Sequence, residues 1–268
     1  MSSLDSFFAS VQLPTMSEVA QELINTLNNE DASVTQVRDI IAKDPALTAK
    51  LLRLANSAQF GLQRAVGTLD DAITMVGMSK VRTLSLGSVM SGAFPTLPGL
   101  DRKEFWRGSM ACAGYAQWLA GGLGMDGQEA WLCGMMLRLG ELLIGQAQPD
   151  TLREIEMLPH IPGGRWEREA RLVGHSEGQI TAELARRWNF PKSIVQGLQQ
   201  SSDPLGYPTF SRLGAIVHLA GLLADTPDAT PNAMDTLPSD VMSKLLLDTQ
   251  WSRNKFPDAT NFIDVTAS

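Results

Sequence analysis

Between Asp44 and Gly61 the chain reads DPALTAKLLRLANSAQFG, a stretch with helix start, buried face and stop all written into it. Asp44 suits the N-cap, where a carboxylate accepts first-turn N–H groups, and Pro45 suits the first helical position, where a missing N–H costs nothing. Leu47, Leu51, Leu54, Ala55 and Ala58 fall on one face, with Lys50, Arg53 and Ser57 turned elsewhere. Gly61 closes the run at a position that favours left-handed backbone.

The same helical style continues along the 268 residues. Leu, Ala, Met and Gln are plentiful while β-branched alternation is scarce, so the fold class expected is all-α. Helices are expected from Leu13 to about Leu27 and from Ser33 to Lys43. A helix capped by Thr68 and stopped by Gly77 follows, then one from Ser79 to about Ala93. The run Phe94-Pro95-Thr96-Leu97-Pro98-Gly99 breaks the pattern and reads as the boundary between an N-terminal lobe (1–98) and a C-terminal lobe (99–225). In the second lobe the periodicity predicts helices over 101–121, 128–146, 151–157, 165–188, 191–200 and 209–224. Residues 226–268 read as an exposed loop, one short helix near 241–248 and a mobile tail.

The Asp44–Gly61 stretch resembles the signature of the HDOD family, the HD-related output domain of bacterial signalling proteins. The carriers of the resemblance are Asp44, Pro45, Leu51, Leu52, Asn56, Ser57, Phe60 and Gly61, most of them core and capping positions. Support comes from Thr68–Gly77, from Phe105-Trp106 and from Trp188-Asn189-Phe190-Pro191, so the resemblance runs from about Leu13 to Ala224. It implies two packed helical lobes, the second an HD-like helical bundle of the phosphohydrolase superfamily. Such hydrolases hold divalent metals with histidines and aspartates from several helices, because a cation must activate water for attack on phosphorus.

At the positions where the resemblance places those ligands, this chain carries other residues. Gly108 stands for the first histidine, Leu137 and Arg138 for the His-Asp pair, Glu177 for the next histidine, and Ser201 and Ser202 for a final pair. Glycine, leucine, serine and arginine cannot assemble a divalent metal site, and a guanidinium repels a cation. His160, His175 and His218 read as surface or core residues. The expectation is a degenerate domain with no catalytic residues, no metal and no cofactor. Helical spacing places Arg138 and Glu177 on largely apolar faces of neighbouring helices, which suggests an Arg138–Glu177 ion pair in the metal's place; two snorkelling surface side chains are the alternative. Arg165, Arg168, Arg171, Arg186, Arg187 and Lys192, interleaved with Glu154, Glu156, Glu167, Glu169 and Glu183, read as a solvated helix surface.

A net charge of −7 argues against sequence-blind nucleic-acid binding. No apolar run reaches transmembrane length without a polar break, and no signal peptide is apparent. Cys112 and Cys133 sit in helical patterns as reduced, buried thiols, which suits the cytoplasm. The function expected is a non-catalytic signal-transduction or regulatory domain, with unknown signalling proteins or a nucleotide-like small ligand as partner. The alternative is a metal-dependent phosphohydrolase or phosphodiesterase acting on a nucleotide.

Overall fold

The computed structural model describes residues 4–29, 31–57, 60, 65–158 and 161–265, all helix, turn and loop with no strand among them. The first six helices are α1 (Leu4–Ala9), α2 (Glu18–Leu27), α3 (Val34–Ala42), α4 (Pro45–Ala55), α5 (Leu69–Val76) and α6 (Met78–Ala93). α7 (Arg102–Gly122) then leads through α8 (Gly127–Met136), α9 (Leu139–Ala147), α10 (Pro149–Glu156) and α11 (Gly164–Leu172). α12 (Glu177–Arg187), α13 (Lys192–Gln200), α14 (Arg212–Ala224), α15 (Ser239–Leu245) and α16 (Thr249–Asn254) complete the order. No described helix is long and apolar enough to cross a membrane.

The starts read from side-chain chemistry hold. Asp44 accepts from Ala46 N (2.9 Å) and Leu47 N (3.0 Å), Thr68 caps α5, and Gly77 ends it at φ 94°. α2 starts at Glu18 behind Ser17, later than the sequence suggests, because Ser17 offers the cap that Leu13 lacks. Gly61 lies outside the described residues, as does His160.

α4 ends at Ala55, short of the stop at Gly61 expected from the sequence, because Asn56 takes the C-cap. Its side-chain amide donates to Leu52 O and Val66 O (both 2.8 Å) and accepts from Val66 N (2.7 Å), so one side chain ties the end of α4 to the strand of chain entering α5. Lys80 stands over the Phe60 ring at 4.6 Å, holding that residue against α6.

Two long helices expected in the second lobe are each broken. The run 128–146 divides at Leu137-Arg138 into α8 and α9, and the run 165–188 divides at 173–176 into α11 and α12. Gly174 takes φ 89°, and Ser176 with Gln179 forms a capping box that restarts the helix. The break at 137–138 is held from afar: Thr181 Oγ1 donates to Leu137 O (3.0 Å) and accepts from Gly140 N–H (2.7 Å).

The tail expected to be mobile is ordered through Val265. Trp251 stacks on Trp118 (centroids 5.4 Å apart, planes at 15°), Phe256 and Phe262 pack against Tyr115, and Val265 is buried. Its aromatic side chains supply the apolar area that orders it.

Asn56→Ala removes two partly buried hydrogen bonds across a ten-residue connection and an exposed one to Leu52 O, and is expected to cost about 2 kcal/mol. Chemical denaturation of the variant against the parent chain measures it, and an unchanged midpoint contradicts the clasp.

Candidate functional site

The first turn of α12 is where the positions of the expected metal site come together. A Cβ added to Gly140 would run into the backbone of Glu177, and one added to Gly178 would strike Ser201 Oγ and Leu198 O. The missing side chains therefore let α12 touch α9 on one side and α13 on the other. Ser176 Oγ meets Ser202 Oγ at 3.0 Å, Ser201 Oγ donates to Leu198 O at 2.7 Å, and Leu137 packs beside Gly178. Gly108 on α7 faces the same place, since a Cβ there would collide with Nη1 of Arg138.

Arg138 thus occupies the room that Gly108 leaves. Its guanidinium lies 5.7 Å from the centre of the Phe105 ring, and its Nη2 is 3.3 Å from Glu141 Oε2. Glu141 is fully buried and turns its other oxygen to Arg165 Nη1 at 3.1 Å; Arg165 also pairs with Glu156. The direct Arg138–Glu177 pair suggested by helical spacing is not formed. The break at 137–138 makes Arg138 the N-cap residue of α9, where Glu141, three positions on, is within reach. Glu177 is instead held by Trp166, whose Nε1–H donates to Oε1 at 3.0 Å, while its own backbone N–H donates to Glu169 Oε2 at 2.6 Å. Glu177 Oε2 and Glu169 Oε1 have no hydrogen-bond partner.

Arg165, Arg168, Glu169 and Glu183 are buried, which corrects their reading as a solvated surface. Glu141, Glu156, Arg165, Trp166 and Glu169 join the site unannounced by the degenerate motif. The usable signal was on α11, where Arg165 and Glu169 are four apart and so share a face, next to Trp166.

Burial and crowding set the charge states. Burial pushes the Glu177 carboxyl up to about 7 against the pull of Arg165 and Arg138, with Glu141 and Asp225 adding repulsion. Burial, reinforced by the charge of Glu177, raises Glu169 well above the usual carboxylate range. For Arg138, burial and Arg165 oppose the charge, yet Glu141, Glu177 and Asp225 outweigh them and hold it above its ordinary value. Burial lowers His218, whose Nδ1 lies 2.7 Å from Ser201 O, so that ring is a neutral packing element against Trp166.

This donor set does not suit a divalent cation. Glu141 and Glu156 are taken up by guanidiniums, Glu177 by Trp166 and Glu169 by the N–H of Glu177, while the two serine hydroxyls and His218 are engaged elsewhere, so the set offers no convergent ligands. Among the described residues, no group of three or more His, Cys, Asp or Glu is arranged to hold a metal ion.

Residues 13–204 match the sequence profile of the HDOD domain. An uncharacterized protein of Treponema pallidum (strain Nichols) is 29% identical over 192 residues, an alignment covering 70% of this chain and 37% of that protein. This chain therefore spans little more than a third of that relative's length. Among solved structures, a "Putative phosphohydrolase" of Shewanella amazonensis SB2B is similar with a TM-score of 0.72 and 32% identity, covering 96% of this chain and 90% of the other. An HDOD domain protein with unknown function from Geobacter sulfurreducens gives 0.72 and 20%, covering 94% and 96%. A "Putative signal transduction protein" of Marinobacter aquaeolei VT8 gives 0.76 and 23%, covering 97% of this chain and 59% of that one. The last two likenesses establish the fold.

Two predictions follow from the geometry. Gly140→Ala forces α9 away from α12 and is expected to cost about 3 kcal/mol, whereas Gly92→Ala on α6, with open space around it, changes stability by about 1 kcal/mol or less in the favourable direction; thermal melts of both variants compare them. The second concerns pH. The folded value of Glu177 near 7 exceeds its ordinary 4.5, so the native state binds the extra proton between these values. The stabilisation is complete below the lower value and is lost as pH rises through the upper one. The melting temperature is expected to fall between about pH 5 and pH 8, and Glu177→Gln, which keeps the acceptor for Trp166, should flatten that fall.

Proposed function

The chain belongs to the HDOD family, a regulatory HD-related domain, and from that premise we propose that it is a non-catalytic signal-transduction module acting through protein–protein contacts. The observation that carries this reading is the guanidinium of Arg138 lodged against Gly108, where an HD-type hydrolase would carry its first histidine. A permanent cation there, paired with Glu141, takes both the space and the charge that a metal would need.

The ends of the charge cluster support a role in contact. Glu156 and Arg165 flank the connection between α10 and α11, on which Met157 and Ile161 are exposed by 83% and 61%. A protein partner that covers those apolar side chains would press on a segment anchored at both ends by the cluster. The buried, unpaired thiols of Cys112 and Cys133 suit a reducing compartment, and we place the protein in the cytoplasm.

The phosphohydrolase reading draws on the description of the Shewanella relative, and a nucleotide-like ligand remains the second partner class. An open cleft of 560 Å³ between α2 and α3 has walls that include Glu22, Asp39 and Lys43, with Lys43 already paired to Glu22 at 2.5 Å. That lining is poorly matched to a nucleotide's phosphates.

Elemental analysis of the purified chain, together with a hydrolysis assay on a generic phosphodiester in added Mn²⁺, tests the proposal. The expected result is substoichiometric Fe, Mn and Ni and no turnover above buffer. Stoichiometric metal with turnover that disappears in Glu177→Gln would falsify it.

A further inference from the structure

We propose that residues 249–265 form an exchangeable arm, and that the notched face of α7 accepts this arm from a second copy of the chain. The arm lies beyond the 13–204 span of the HDOD match. It is seated by rings placed over glycines. Trp251 lies over Gly122 and stacks on Trp118, while Phe262 lies over Gly114 and meets Tyr115 edge-on at 4.9 Å. Phe256 fills the space between, with its ring 5.8 Å from Tyr115 and 5.4 Å from Trp118. Beyond them, a Cβ on Gly87 of α6 would sit 3.4 Å from Val265, so the arm closes on a third small residue. Tyr115, Trp118 and Gly122 follow one another at helical spacing, which makes this a single prepared face.

Two features make the arm separable. Its backbone pairing is local: Ser252 N donates to Asp248 O, Lys255 N to Trp251 O, and Phe262 N to Ala259 O. Moving the arm together with Leu247 and Asp248 as a unit to another copy preserves these bonds and every ring contact.

The second feature is the hinge. Leu246 joins α15 to α16 with φ 58°, a left-handed backbone that glycine adopts freely and leucine only at a cost. It is also 87% exposed, the highest value among the large exposed apolar side chains. In a two-fold exchange the groove contacts are the same as in the closed monomer, and only the hinges change. The two hinges cross near the symmetry axis, where both copies of Leu246 can extend and cover each other. Strain and exposure at one residue thus favour the second copy as the occupant.

Sedimentation and native mass spectrometry of the full chain over a concentration series test this. The expected result is a monomer–dimer equilibrium. Leu246→Gly, which accepts the left-handed hinge and removes the apolar side chain, should weaken the dimer about tenfold or more. Gly122→Ala, whose methyl group intrudes on the Trp251 ring site at the last residue of α7, should abolish the dimer and open the arm to chymotrypsin while circular dichroism stays native-like. A chain that stays monomeric at every concentration, or a dimer indifferent to either substitution, overturns the proposal.

Discussion

The second lobe depends on the close approach of α12 to its neighbours through Gly140 and Gly178. Side chains at either position would collide with Glu177, Ser201 or Leu198, so the glycines decide that the first turn of α12 lies wedged between α9 and α13. The contact delivers Thr181 to the break between α8 and α9, where one hydroxyl serves both a carbonyl and an N–H that the break would leave unpaired in a dry interior. It also brings Glu177 next to Glu169, which accepts one of the N–H groups that a helix start leaves free. The helix break, the cap and the charge cluster share this one geometric cause.

Charges buried so deeply need partners. Among the described residues Arg138 and Arg165 lie in the field of Glu141, Glu169 and Glu177, and burial favours the protonated form at Glu177 and Glu169. The guanidiniums are covalently part of the chain and cannot leave the cluster. Buried ion pairs often contribute little net stability, but removing one partner strands the other. The arrangement therefore fixes the geometry of α9, α11 and α12 more than it adds to their stability.

What was legible in the sequence follows from the range of the interactions concerned. Asp44, Thr68 and Gly77 announce their caps because the groups they serve lie within three or four residues. The break before α12 was written locally too, in Gly174, Ser176 and Gln179, but the apolar spacing of Val173, Ile180 and Leu184 runs across it and hides it. The break at Leu137-Arg138 carries no glycine or proline and rests on Thr181, more than forty residues away. That misread break is why the spacing pointed Arg138 at Glu177 when its partner is Glu141. The family pattern located the positions that converge, whereas the residues that neutralise them, Glu141 and Arg165, look like ordinary surface charges until the fold buries them.

The tail shows the same limit from the other side. Residues 225–265 contain Asp225, Asp228, Asp235, Asp240, Asp248, Asp258 and Asp264, and that polarity hides Trp251, Phe256 and Phe262. Three rings order this polar segment, because two glycines of α7 let Trp251 and Phe262 approach the helix backbone while Phe256 packs on Tyr115 and Trp118 between them. Gly114 and Gly122 look like weak points in a long helix when that helix is considered alone, since each lowers its propensity. With the arm in place they are the reason that α7 can be covered at all. The same pairing of a glycine with a bulky side chain from elsewhere recurs at Gly108 and Arg138. In both places a residue that costs the isolated helix stability creates room for a group distant in sequence, and the two sides of the contact must therefore change together.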